Sequence, residues 1–166
     1  EPLVDIYQVG SRNMFNYYLL KALGSQSKPV LLKRGMYATL DEWLLAAEYI
    51  MVNGNEAVIL CERGLRTYDP AVRNQLDLAA IPLLQEKTHL PIWVDPSQGT
   101  GKRSLITPMS QAAVAAGSDG LMVEVHPDPD KAFSDANQTI DLHTLRSLLQ
   151  SLEPLSNAKG KHLSSH

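Results

Sequence analysis

The chain has 166 residues, enough for one domain with a buried core, and its 44% apolar and 20% charged content is that of a globular fold in water. A formal net charge of -3 leaves no basic footprint for nucleic acid, and no apolar run approaches the roughly 20 residues that span a bilayer. The opening Glu1-Pro2-Leu3-Val4-Asp5 lacks both parts of a secretory signal, and the single Cys61 has no partner for an internal disulfide, so the expected compartment is the reducing cytoplasm.

Short apolar runs alternate with amphipathic stretches along the chain. Val4–Val9 reads as a first buried strand and Met14–Leu23 as a helix after it. Val30–Lys33 is the second strand, and Leu40–Val52 the clearest helix, opened by a Thr39/Glu42 capping box. Ala57–Cys61 and Ala71–Leu84 repeat the pattern, as do Ile92–Asp95 and Pro108–Ala116, with Pro108 expected in a first helical turn. Gly120–Glu124 and Asp141–Leu152 complete it. Gly24, Gly54 and Gly117 each follow a helical stretch, as C-terminal caps do. The strand candidates are rich in Val, Ile and Leu with little alternation, which suits a parallel sheet buried on both faces. Repeated βα units mean a parallel α/β fold, either an open doubly wound sheet or a (β/α)8 barrel. Five units fit the open sheet by count. The domain is expected over residues 1–152, with a polar tail at 153–166 that is mobile or docked on another surface.

Each strand candidate ends in a polar cluster. The clusters are Gly10-Ser11-Arg12-Asn13, Lys33-Arg34-Gly35, Glu62-Arg63-Gly64, Asp95-Pro96-Ser97-Gln98 and Glu124-Val125-His126. In parallel α/β folds the C-terminal strand ends share one rim, where ligands bind. Arg and Lys there suit a phosphate-bearing ligand, and carboxylates suit a divalent cation. The plain alternative is a set of solvated loop charges; five clusters in register argue against it. Cys61 reads as a buried small hydrophobe, His89 as a structural residue on the opposite rim, and Trp43 and Met51 as helix–sheet packing. His143, His162 and His166 carry no assigned role.

Five of these segments occur together, in order, in one family. Lys33-Arg34-Gly35-Met36, Cys61-Glu62-Arg63-Gly64 with Arg66-Thr67, Val94-Asp95-Pro96-Ser97, Glu124-Val125-His126-Pro127 with Ser134-Asp135, and the first cluster with Met14 carry the pattern. From about Val4 to Leu152 the chain resembles 3-deoxy-D-arabino-heptulosonate 7-phosphate (DAHP) synthases of the short bacterial type. The resemblance implies a (β/α)8 barrel, here an incomplete one of five βα units starting at strand four. It implies condensation of phosphoenolpyruvate with erythrose 4-phosphate, the first step of the shikimate pathway, with a divalent metal (Mn, Fe, Co or Mg). By the same resemblance Arg12 and Arg63 hold the phosphate of phosphoenolpyruvate and Lys33 its carboxylate. Ser11, Glu62 and Asp95 are further substrate-binding positions, Lys33 and Arg63 the catalytic ones, and Glu124 and Asp135 metal ligands.

Three departures are visible. Where the family pattern has a metal-binding His, this chain has Gln98, a weak ligand, so metal is expected to be loosely held or lost; His126 is an alternative imidazole. Strands one to three, which carry a cysteine ligand and further basic residues, are not in the chain. Tyr37 replaces a smaller residue and is expected to intrude on the site. The expected partners are therefore phosphoenolpyruvate, an aldose phosphate, and either other copies of the chain or a complementing N-terminal segment. Two other functions fit the same residues: a catalytically impaired relative or partner subunit that binds phosphorylated ligands, and a synthase acting on another aldose phosphate.

Overall fold

A computed structural model describes residues 3–163. Its strands are β1 (Tyr7–Val9), β2 (Val30–Lys33), β3 (Val58–Glu62), β4 (Ile92–Val94) and β5 (Gly120–Leu121). All neighbours pair in parallel, in the order β1-β2-β3-β4-β5. That order decides between the two architectures. A doubly wound sheet reverses its order at a switch point, whereas a barrel adds each strand beside the last. The sheet is thus five consecutive units of a barrel, and β1 and β5 each have one open edge among the described residues.

The helices are α1 (Tyr17–Gly24), α2 (Leu40–Met51), α3 (Ala80–Lys87), α4 (Pro96–Thr100), α5 (Arg103–Ala116) and α6 (Leu142–Ala158). The period of two along each strand sorts side chains between the sheet's faces. Val9, Val30, Leu32, Val58, Leu60, Ile92 and Val94 pack with Trp43, Ile50, Ile81 and Leu84 of the helices in one core. Burying a side chain of this size is worth about 1.5–3 kcal/mol. The Trp43 indole N–H donates to the Leu32 carbonyl at 3.1 Å, so its polar edge is satisfied inside that core. Gln8, Leu31, Lys33, Ile59, Cys61 and Trp93 alternate with those residues and belong to the opposite, concave face. A smaller core of Ile106, Val114, Ile140, Leu148 and Leu152 holds α5 and α6 together beyond β5.

Several element boundaries differ from expectation, each for a local reason. The chain makes a 3-10 turn at Ser11–Asn13 before α1, which starts only after Asn16 caps it through the Leu19 N–H. The Thr39/Glu42 capping box of α2 forms as expected. The helix expected from Ala71 begins at Ala80, because the backbone N–H groups of Arg73, Asn74 and Gln75 bond to Thr100, Gly99 and Leu65 instead. α5 starts at Arg103, so Pro108 lies within it rather than in its first turn. Gly117 ends α5 in the left-handed conformation, whereas Gly24 is itself the last residue of α1. β5 stops early because β4 gives way to α4: Met122 N–H still reaches the Val94 carbonyl, but Glu124 N–H bonds to Ser97 Oγ. α6 continues past Leu152 to Ala158, and Lys161 then folds its ammonium onto the Gly117 and Ser118 carbonyls and Asp119. Among the described residues no helix is long and apolar enough to cross a membrane.

Candidate active site

At the C-terminal rim of β1–β4 lies a cleft of about 450 Å³. Among the described residues five cationic side chains line it, Arg12, Lys33, Arg63, Arg66 and Arg73, together with Ser11, Asn74 and Gln98, and no carboxylate does. Arg12 stands on the 3-10 turn after β1, exposed and without a hydrogen-bond partner among the described residues. Lys33 ends β2. It is buried, and its ammonium donates to Asp95 Oδ2 at 2.7 Å. Arg63 follows β3 directly. Its Nη2 donates to Gln98 Oε1 at 3.3 Å and its Nη1 to the Gly64 carbonyl at 3.4 Å, while its buried Nε has no partner among the described residues. Burial, and then the neighbouring Arg73 and Arg12 against the attraction of Asp95, leaves this guanidinium less firmly protonated than an ordinary arginine. A buried cation with an orphan donor beside an open cleft is incomplete without an acceptor.

Arg66 and Arg73 arrive on the loop between β3 and α3. Leu65 and Gln75 bridge it antiparallel, and Arg73 and Asn74 hang from the carbonyls of Thr100 and Gly99 in α4. Arg66 lies in a segment that the sequence motifs include. Arg73 and Asn74 escape the sequence reading, which puts them in a helix; no motif signals them.

Behind the cleft is a second charged layer. Arg34 Nη1 donates to Glu62 Oε2 and Asp77 Oδ2, both at 2.9 Å, and its Nε donates to the Ala38 carbonyl. The guanidinium stands 5.8 Å over the Trp43 ring. Glu62 Oε1 accepts from the Gly64 N–H at 2.6 Å. Gly64 has φ of 89°, a left-handed conformation that suits glycine. Glu62 is fully buried and does not line the cleft; its carboxylate accepts from Arg34 and the Gly64 N–H. Burial raises its pKa, opposed by the Arg34 contacts. Asp95 is also buried and off the cleft wall. It caps α4 by accepting the Gln98 N–H and accepts from the Lys33 ammonium. Burial pushes the Cys61 thiol far up, which makes it inert, as its strand position suggested. Tyr37 is exposed and lines a neighbouring depression with Arg66, not the cleft, so it does not intrude.

The acidic end of the rim is arranged differently. Glu124 Oε1 accepts from Gln138 Nε2 at 2.8 Å, and Asp135 pairs with Arg73 Nη1 at 2.9 Å. Arg73 also donates to Gln138 Oε1 at 2.8 Å, closing a chain from Glu124 to Asp135. The Glu124 pKa is raised, first by burial and then by Asp135 and Asp95, against the Gln138 bond. Gln98 turns its Oε1 to Lys33 at 3.4 Å and to Arg63, not to the two carboxylates. His126 Nδ1 is hydrogen-bonded to the backbone of Asp128. Among the described residues no group of three or more His, Cys, Asp and Glu is placed to hold a metal. Glu124 and Asp135 are joined through Gln138 and Arg73, while Gln98 faces Lys33 and Arg63. The two carboxylates are hard oxygen donors.

Residues 2–159 match the DAHP synthetase I family. The phospho-2-dehydro-3-deoxyheptonate aldolase of Thermotoga maritima is 51% identical over 156 residues, which cover 94% of this chain and 46% of that protein. The 2-dehydro-3-deoxyphosphooctonate aldolase of Stenotrophomonas maltophilia is 31% identical over 169 residues, covering 96% of this chain and 61% of that one. Among solved structures, a truncated form of the Thermotoga maritima DAHP synthase superposes with a TM-score of 0.96 at 48% identity, covering 98% of this chain and 62% of that one. The chain spans about half to three-fifths of the length of these relatives. The family match takes in all five strands and the whole cationic cleft, and the chain belongs to the DAHP synthetase I family.

Proposed function

We propose that this chain is the part of a DAHP synthase that holds phosphoenolpyruvate for condensation with erythrose 4-phosphate, the first committed step towards the aromatic amino acids. The observation that carries the reading is the cleft wall: among the described residues, five cations, no carboxylate, and on Arg63 a buried donor without an acceptor. Phosphoenolpyruvate is a compact polyanion with a phosphate at one end and a carboxylate at the other. Arg12 and Arg63 are assigned to the phosphate and Lys33 to the carboxylate. Ser11 is a neutral donor on the same wall.

In the condensation, C3 of the enol attacks the aldehyde carbon of the acceptor, water adds at C2, and phosphate leaves. Charge on the phosphate and carboxylate redistributes throughout. Guanidinium and ammonium groups fixed in a partly desolvated wall stabilise that charge without reorganising. Asp95 keeps Lys33 oriented, and Glu62 keeps Arg34 and the Gly64 turn in place behind Arg63. Glu124 and Asp135 would be this chain's oxygen ligands to a divalent metal, which when bound would polarise the aldehyde oxygen of the acceptor. The higher identity to the heptonate enzyme than to the octonate enzyme supports the four-carbon acceptor. The open edges of β1 and β5 are where further strands of such an enzyme, or another copy, would pair.

Calorimetric titration with phosphoenolpyruvate and with inorganic phosphate tests the reading. Each charge-assisted hydrogen bond contributes roughly 1.5–3 kcal/mol, so Arg63→Ala should weaken binding by about tenfold or more. Unchanged affinity in that variant, at low and at moderate salt, defeats the assignment.

A further inference from the structure

We propose that Gln98 belongs to the anion site: its amide steadies Lys33 and Arg63 through Oε1 and donates from Nε2 to the anion they bind. The inference rests on the phosphoenolpyruvate reading above and names a further specificity-determining residue for it.

Gln98 is held at both ends of its peptide unit. Its N–H donates to Asp95 Oδ1 at 2.9 Å, and its carbonyl accepts from Asn74 Nδ2 at 2.9 Å. The side chain is thereby launched from a fixed point on α4 into the cleft wall. There Oε1 accepts from Lys33 Nζ at 3.4 Å and from Arg63 Nη2 at 3.3 Å. Both contacts are long, so neither cation is committed to the amide as Lys33 is to Asp95 at 2.7 Å. With Oε1 turned to the cations, Nε2 has no hydrogen-bond partner among the described residues. An amide accepts at one terminal atom and offers two donors at the other. It therefore bridges two cations and still presents N–H groups to whatever they hold.

The same geometry argues against a metal role. An acceptor between an ammonium and a guanidinium is a poor place for a third cation, since the like charges repel at short range. Glu124 and Asp135, the remaining oxygen donors, face Gln138 and Arg73 instead. A carboxylate at position 98 would satisfy the two cations but exclude an anion. The neutral amide leaves the positive charge of the wall available.

Calorimetry on the 166-residue chain tests this with phosphoenolpyruvate and Mn²⁺ as probes. Gln98→Glu is nearly isosteric and should weaken phosphoenolpyruvate binding by about thirtyfold or more, because its carboxylate pairs with Lys33 and Arg63. Gln98→Ala should weaken it by roughly three- to tenfold and leave Mn²⁺ affinity within about twofold of the unsubstituted chain. A Gln98→Glu chain that keeps its near-ultraviolet circular dichroism and binds phosphoenolpyruvate normally overturns the proposal. So does loss of Mn²⁺ affinity in Gln98→Ala. If Arg63→Ala loses phosphoenolpyruvate while both Gln98 variants keep it, only the Gln98 assignment falls. If Arg63→Ala also keeps it, the anion-site reading falls too.

Discussion

Lys33 and Arg34 are adjacent in sequence, and so are Glu62 and Arg63, yet the four side chains divide between two layers. Lys33 and Arg63 line the cleft and leave positive charge available to a ligand. Arg34 and Glu62 pair with each other at 2.9 Å on the helix side of the sheet, where Trp43 and Asp77 complete their surroundings. The strand period of two makes the separation: Lys33 is in register with Cys61, so the next residues on each strand turn to the other face. One layer is under-satisfied and suited to binding. The other is saturated and suited to holding the rim in shape. A motif of charged residues is thus half ligand site and half support, and its letters alone do not say which half is which.

The largest expected effect falls on the saturated layer. Removing one partner of a buried ion pair leaves the other charged and dry, at about 3–5 kcal/mol. Glu62→Ala or Arg34→Ala should lose that much stability in urea denaturation, and Arg34→Met with Glu62→Leu should regain much of it. A Glu62→Ala chain as stable as the parent would erase the distinction between the layers.

Gly64 joins the two layers, because its N–H binds Glu62 and its carbonyl accepts from Arg63. A Cβ there would meet the Asn74 Cβ at 2.7 Å and the Gly99 Cα at 3.1 Å, on a backbone with positive φ. Gly64→Ala should therefore cost about 1–3 kcal/mol and also weaken phosphate binding. Loss of stability with unchanged phosphate affinity would mean that the layers are mechanically independent.

The smallest effect is a pH dependence at the acidic end. Burial, with Asp135 and Asp95 nearby, raises the Glu124 pKa in the folded chain. The stability it contributes is full below the ordinary glutamate range and is lost as pH rises through the raised folded value. Glu124→Gln fixes the neutral form and keeps an acceptor for Gln138. Its melting temperature should match the parent in acid and exceed it by about 1–3 °C at neutral pH. An equal or lower value at neutral pH would remove the electrostatic strain assigned to Glu124.

Much of this was legible from residue types. Runs such as Val30–Lys33 announce buried parallel strands because Val and Leu fill both faces, and the polar clusters after them fall on one rim because parallel strands all end there. Arg12, Lys33 and Arg63 were findable for that reason. Glu62 is the harder residue to place from its motif, because its neighbour lines the cleft; the alternation counted from Leu60 puts it on the helix side. Arg73 was invisible to periodicity, because its place depends on hydrogen bonds to Thr100 and Gly99, far along the chain. The orientation of the Gln98 amide likewise depends on Lys33 and Arg63 meeting in space, which neighbouring residues do not encode.

The loop that carries Arg66 and Arg73 has a consequence for how such a site can diversify. It is anchored by backbone bonds at Leu65 and Arg66 on one side and at Arg73, Asn74 and Gln75 on the other. Between the anchors, residues 67–72 make no backbone hydrogen bond to another part of the described chain. Insertions or deletions there would change the neighbouring depression lined by Thr67, Tyr68 and Asp69 while leaving both arginines at their stations. An insertion a few residues later would pull Arg73 and Asn74 off α4, where Gly99 already lies so close that a Cβ would strike Leu76 at 2.5 Å. The loop thus behaves as a replaceable cassette between two fixed sockets, and its length can change without disturbing the cationic cleft beside it.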